Sequence, residues 1–114
     1  MTLQEVATII DGKVLCGNDM LTHEVEYAFS SDLMSDVLTT QTDGMLLLTG
    51  LANVQAIRTA EMSDIQCVVV VRNKKVTQEM IDLACESGIV LIECKSSMFK
   101  ASGLLFQHGL KPIF

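Results

Sequence analysis

At 114 residues the chain makes one domain with room for a proper core, and 49% apolar residues with a mean hydropathy of +0.39 point to some apolar surface buried between subunits. A net charge of −6 and only 4% aromatics exclude nucleic acid as a partner, because phosphate backbones need basic surface and single strands need exposed rings. No basic start or apolar stretch marks a secretory signal and no run approaches the roughly 18 apolar residues of a membrane span, so the expected location is cytoplasmic, with no membrane.

Thr2 and Glu5 have capping-box spacing, and Leu3, Val6, Ile9 and Ile10 share a face, so a first helix is expected to run to about Ile10. Asp11-Gly12 signals a turn into a short strand, Lys13 to Cys16, ended by Gly17-Asn18-Asp19. From Glu24 to Ser30, Val25, Tyr27 and Phe29 alternate with Glu24, Glu26 and Ala28, as in a half-exposed strand at or near a sheet edge. Ser30-Ser31-Asp32 offers caps for a short helix to about Thr39, followed by a polar turn over Thr40 to Gly44.

The organising stretch is Met45 to Glu93. MLLLTG, QCVVVV and GIVLIE are continuous apolar runs, and between them Asn53 to Glu61 and Thr77 to Glu86 carry helical spacing. Strands apolar on both faces and alternating with helices form a parallel sheet with right-handed crossovers. After the Cys94 to Ser97 loop a last helix spans Met98 to His108, stopped by Gly109, with Pro112 beyond, and the tail residues Ile113 and Phe114 are expected to be packed. The fold class is a three-layer α/β/α domain over residues 1–114, around a mostly parallel sheet of about five strands, with five helices and no linker or repeat.

Open parallel sheets hold ligands outside the carboxyl ends of their strands. Here those ends carry Ser31, Asp32, Thr49, Asn53, Arg72, Lys95, Ser96 and Ser97, a polar rim suited to a small anionic or nucleotide ligand. The same residue types also cap helices and close turns with no ligand at all. Lys74-Lys75, in a predicted loop, reads as a solvated turn. Neither GxxxxGK[ST] nor a three-glycine dinucleotide fingerprint occurs. Cys16, Cys67, Cys85 and Cys94 form no CxxC and have no histidine at ligand spacing, so neither structural zinc nor a disulfide framework is expected, and Cys67 and Cys85 read as small hydrophobes. Cys94, at a strand's carboxyl end, reads as a partly exposed and reactive thiol, with Lys95 and Ser96 alongside. His23 and His108 read as structural or solvent-facing. Asp32 with Asp36, and Glu61 with Asp64, make at most weak cation sites. No cofactor, metal site or catalytic residue is assigned.

The segments SSDLMSDVL (Ser30 to Leu38), DGMLLLTGLANVQAIRTAEM (Asp43 to Met62), VVVVRNKKVTQEMIDLACESGIVLI (Val68 to Ile92) and SSMFKASGLL (Ser96 to Leu105) resemble the DRTGG domain family, in its short stand-alone form. That family is similar to the N-terminal domain of HPr kinase/phosphorylase and also occurs in phosphotransacetylases and CBS-domain pyrophosphatases. The resemblance implies a non-catalytic regulatory module, often dimeric, with adenine-nucleotide sensing or a hydrogenase-associated or serine kinase-like protein partner as its roles. The family's Asp-Arg-Thr falls on Leu51-Ala52-Asn53 and its paired glycines on Arg72-Asn73. Losing those glycines is expected to remove positive φ freedom at that strand end, where Asn53 and Arg72 stand in place to make different contacts.

Three readings follow. One is a self-associating regulatory or scaffolding domain, a homodimer with a ligand at the strand ends, its interface drawn from Val25, Tyr27 and Phe29 or from the tail residues Ile113 and Phe114. The second is a ligand-free interaction subunit. The third is a small enzyme with Cys94 as nucleophile, which lacks an oriented base.

Overall fold

The computed structural model describes residues 1–40 and 43–114. In chain order it contains α1 (Leu3–Ile9), β1 (Lys13–Cys16), a single 3-10 turn (Asn18–Met20), β2 (Tyr27–Ser30), α2 (Met34–Leu38), β3 (Leu46–Thr49), α3 (Val54–Met62), β4 (Cys67–Val70), α4 (Gln78–Ser87), β5 (Val90–Glu93), α5 (Met98–Gln107) and β6 (Lys111–Pro112). The strands form one six-stranded sheet in the order β1-β5-β4-β3-β2-β6, parallel throughout except where β1 pairs antiparallel with β5. None of the helices is long and apolar enough to cross a membrane among the described residues.

The continuous apolar runs divide by strand parity into two cores, as sheets covered on both faces require. Leu46, Leu48, Val69, Val71, Val90 and Ile92 face α1 and α5, where they meet Leu3, Val6, Ala101 and Leu105. Leu47, Val68, Val70 and Leu91 face the other way, onto Val37 of α2, Ala56, Ile57 and Ala60 of α3, and Met80 and Ala84 of α4. At about 25 cal/mol per Å², each fully buried aliphatic side chain contributes roughly 2 kcal/mol, which is why these runs decide the fold. The chain steps in one direction from β2 to β5, so three crossovers of one hand stack α2, α3 and α4 on one face. From β5 it turns back across the sheet to β6, and the same hand then puts α5 on the opposite face.

Local chemistry shifts several expected boundaries. The strand expected from Glu24 begins at Tyr27, because Val25 donates its N–H to the Met1 carbonyl (2.8 Å) and Glu24 bridges Thr2. Val25 is thereby buried in the core and unavailable to a subunit interface. The caps expected for α2 are engaged elsewhere: Ser31 Oγ accepts the Leu33 N–H at 3.0 Å, and the Asp32 carboxylate is drawn to Gly50. So α2 starts only at Met34, with Leu33 as a cap that offers no side-chain bond. By contrast Thr2, Asn53, Thr77 and Ser97 each accept a first-turn N–H as N-caps. The turn expected over Thr40 to Gly44 lies, at residues 41–42, outside the described residues.

The tail adds an unforeseen strand, β6, on the edge of the sheet beside β2, where Pro112 costs no ladder bond. Ile113 packs on the α2–α4 side, while Phe114 lies 5.9 Å from the Phe29 ring yet stays 92% exposed.

Two cysteine expectations are corrected. Cys16 and Cys85 are joined as a disulfide, with Cα atoms 5.8 Å apart, the usual span for such a bond. Antiparallel pairing of β1 with β5 carries Cys16 up against the end of α4, a meeting that their separation of 69 residues does not announce. Cys85 is accordingly at the surface and not a core hydrophobe. Cys94 is only 3% exposed, because the Ile10-Asp11-Gly12 turn folds over it and its thiol donates to the Ile10 carbonyl at 3.5 Å. It is almost wholly covered and is no surface nucleophile. Burial also pushes the Cys67 thiol far up, which keeps it inert.

Candidate functional site

Because β2 to β5 are parallel, their carboxyl ends lie along one edge of the sheet and bring the rim residues together. The rim divides into two parts with different chemistry.

The first part, at the ends of β2, β3 and β4, is closed on itself. Asp32 accepts the Gly50 N–H at 2.6 Å and the Thr49 hydroxyl at 3.2 Å through one oxygen, and the Arg72 guanidinium at 3.3 Å through the other. Thr49 is fully buried, and its hydroxyl oxygen also accepts the Leu51 N–H at 3.1 Å. A Cβ at Gly50 would stand 2.9 Å from Arg72 Cδ and Nη1, so a side chain there would displace the guanidinium. The Arg72–Asp32 pair is nearly half exposed, so it contributes little to stability by itself. Its value lies in orienting the guanidinium over the end of β4.

The backbone at that end is left-handed. Arg72 and Asn73 have φ of 71° and 54°, so the positive φ expected to be lost at this strand end without glycines is present, carried by two side-chain-bearing residues. Their N–H groups are both used, Arg72 N–H to the Ser96 carbonyl at 2.8 Å and Asn73 N–H to the Cys94 carbonyl at 3.2 Å. These two bonds clip the exit loop of β4 to that of β5.

The second part lies across this clip and is open. A cleft of about 530 Å³ runs between the two exit loops, with Asn73, Lys74 and Lys75 on one side, Glu93 to Ser96 on the other, and the Asp11-Gly12-Lys13 turn closing the end. Here the loop leaving β4 turns to α4 on one face, and the loop leaving β5 turns to α5 on the other. Beyond the clip the two loops therefore leave toward opposite faces, a topological switch point, where α/β sheets form their ligand crevices. Gly12 permits the closure, since a Cβ there would meet Ile92 Cγ2 at 2.6 Å.

The expected rim residues are thus distributed unevenly. Asp32, Thr49 and Arg72 are brought together, and Lys95 and Ser96 line the open cleft. Asn53, Ser31 and Ser97 are occupied in local bonds to Ala56, Leu33 and Lys100 N–H. Sequence reasoning missed the convergence of Asp11, Gly12, Lys13, Lys74 and Lys75 on Lys95; it depends on β1 lying beside β5, which local spacing does not encode. Of the other polar groups considered, His108 Nδ1–H donates within its helix to Leu104 (2.8 Å), and Glu61 accepts from the Ser87 hydroxyl (2.9 Å). Among the described residues no group of three His, Cys, Asp or Glu is placed to hold a metal ion.

Comparison with known proteins fits this architecture. No curated protein matches the chain. Among solved structures it is similar to the CBS and DRTGG domains of the regulatory region of Clostridium perfringens pyrophosphatase, complexed with the activator diadenosine tetraphosphate. The TM-score is 0.75 at 14% identity, a likeness of fold, over 93% of this chain and 46% of that one, so this chain spans less than half of that region. The DRTGG domain model matches residues 5–108, nearly the whole of the sheet and its helices, and the chain belongs to the DRTGG domain family.

Proposed function

We propose that this chain is a non-catalytic, cytoplasmic regulatory domain that senses a small ligand, an adenine nucleotide being the leading class, at the carboxyl ends of its strands, and that it self-associates. The observation that carries this reading is the open crevice at the β4/β5 switch point beside the internally bonded Asp32–Thr49–Arg72 group. The solved relative is a regulatory region with a nucleotide activator bound, which supports the same reading. Self-association draws support from Phe99, Phe106 and Phe114, which are 89%, 67% and 92% exposed. A thermal-shift screen against nucleotides, with sedimentation of the free and ligand-bound protein, tests both parts. A nucleotide that raises the melting temperature and a mass of twice the chain are the expected results; a flat screen removes the sensor, and a monomer at all concentrations removes the dimer.

A second reading, a protein-interaction subunit for a hydrogenase-associated or kinase-like partner, is favoured by one observation. An apolar groove of about 450 Å³ runs between α5 and the tail, walled by Phe29, Phe99, Phe106 and Phe114. This reading predicts no saturable small-molecule binding. It also predicts that Phe106→Ser abolishes partner capture without changing the melting temperature by more than about 1 kcal/mol equivalent.

A further inference from the structure

We infer that the switch-point cleft is an oligophosphate site, one that recognises the phosphate chain of its ligand and leaves any base outside. The inference rests on the ligand-sensing reading above and goes on to name the chemistry of the site.

Charge carries the argument. The chain is acidic, with a net charge of −6, yet four of its eight Lys and Arg residues, Lys13, Lys74, Lys75 and Lys95, line this one cleft. Against them stand only Asp11 and Glu93, so the lining carries four positive and two negative charges, a net of +2. None of the four lysines forms an ion pair among the described residues, whereas the carboxylates that are paired in this protein, Asp32 and Glu26, lie elsewhere. A net positive charge gathered around one concavity of an acidic chain favours a multivalent anion there. The four lysines come from three separate stretches of chain, the start of β1, the β4–α4 loop and the β5–α5 loop, so neither a charge run nor a single exposed helix face accounts for them.

The rest of the lining sharpens the ligand class. Among the described residues no aromatic ring borders the cleft, so none of them stacks on a base there. Flexible lysines act as point charges suited to phosphate oxygens, and nearby Asn73 and Ser96 supply neutral hydrogen-bonding groups. The size of the cleft, about 530 Å³, is in the range of small-ligand sites.

The test is titration calorimetry of the full chain at low salt with tripolyphosphate, ATP and adenosine, repeated on K74E/K75E, K95E and, as an off-site control, K100E. All four lysines are exposed, so folding is checked by an unchanged melting temperature. Expected results are binding of tripolyphosphate and ATP with dissociation constants within about tenfold of each other, no binding of adenosine, and a loss of about tenfold or more in K74E/K75E and K95E but not in K100E. Added salt should weaken the binding steeply. ATP binding that survives the cleft substitutions, or that adenosine matches, overturns the oligophosphate site and leaves the sensing reading standing. Tripolyphosphate binding that needs the lysines, with no nucleotide bound, supports the site and overturns the nucleotide reading, and binding of neither overturns both.

Discussion

The Asp32 carboxylate reaches Arg72 across 40 residues of chain, at 3.3 Å from Nη1, while its other oxygen holds the Gly50 N–H at 2.6 Å. One side chain thereby ties the exits of three parallel strands together. The two bonds are not equal. A backbone N–H bonded to a carboxylate in a part-buried turn contributes about 1 to 2 kcal/mol, whereas a half-exposed ion pair contributes about 0.5 kcal/mol or less. Asp32→Ala should therefore melt several degrees lower than the parent, and Arg72→Ala within about 2 °C of it. Gly50→Ala should displace the guanidinium and resemble Arg72→Ala, because the added methyl meets the flexible end of that side chain. Equal losses for Asp32→Ala and Arg72→Ala would mean that the ion pair, and not the backbone bond, ties the strand ends.

A second prediction concerns the left-handed backbone at Arg72 and Asn73. An L side chain at φ 71° costs on the order of 1 kcal/mol, a cost that glycine does not bear. Both Arg72→Gly and Arg72→Ala lose the Asp32 pair, so their difference isolates the strain. Arg72→Gly should be more stable than Arg72→Ala by about 1 kcal/mol in urea unfolding, despite the greater chain entropy of glycine in the unfolded state. A tie would show that the exit loop of β4 relaxes out of the left-handed region when the arginine is removed.

Much of this fold is legible locally. The runs around Leu47, Val69 and Leu91 are apolar at every position, and only a sheet covered on both faces accommodates that pattern. Capping residues such as Thr77 and Ser97 likewise announce their helices from a few neighbouring residues. What is not legible is whatever depends on strand order. Lys13 shares a cleft with Lys95, and Cys16 meets Cys85, only because β1 takes the edge beside β5; Pro112 becomes a strand residue only because β2 leaves an edge free. Asp32 misled for a related reason: it has the right spacing to cap α2, but an N–H just past the next strand of the chain competes for it more strongly. The candidate site was therefore visible as a set of strand ends and hidden as a division between a closed half and an open one.

The Cys16–Cys85 bond closes a long loop, since 69 positions separate the two residues, and in the chain-entropy picture it stabilises by about 4 kcal/mol. Cys85 is at the surface, so a thiol reductant reaches it, and a cytosolic glutathione pool would hold the pair open. Cys16 lies in the core on the α2–α4 side, but the rest of both cores is built from aliphatic side chains that do not depend on the bond, so the reduced protein is expected to stay folded and to melt on the order of 10 °C lower than the oxidised form. Cys85→Ser should melt like the reduced parent and respond no further to dithiothreitol. Reduction that leaves the melting temperature of the parent unchanged would show that the bond does not form in solution.

The last prediction uses the capping box at the start of α1. The Thr2 N–H donates to Glu5 Oε1 at 3.1 Å, and the Thr2 hydroxyl adds a second bond to the same oxygen, while the Glu5 N–H donates back to the Thr2 hydroxyl oxygen. The Thr2 N–H foremost, and then its hydroxyl, hold the Glu5 carboxyl below its ordinary value of 4.5. A carboxyl whose folded value is depressed binds its proton more readily in the unfolded chain, so folding is favoured wherever the group is ionised in both states. That contribution is complete above the unfolded value and is lost as the pH falls from there through the folded value. Glu5→Gln keeps a side chain that still accepts the Thr2 N–H but no longer titrates. Melting curves from pH 7 to pH 3 should therefore converge: the parent is more stable than Glu5→Gln at neutral pH, and the gap closes in acid. A gap that stays constant across this range would mean that the charge of Glu5 plays no part in starting the helix, and that the geometry of the Thr2 cap is sufficient.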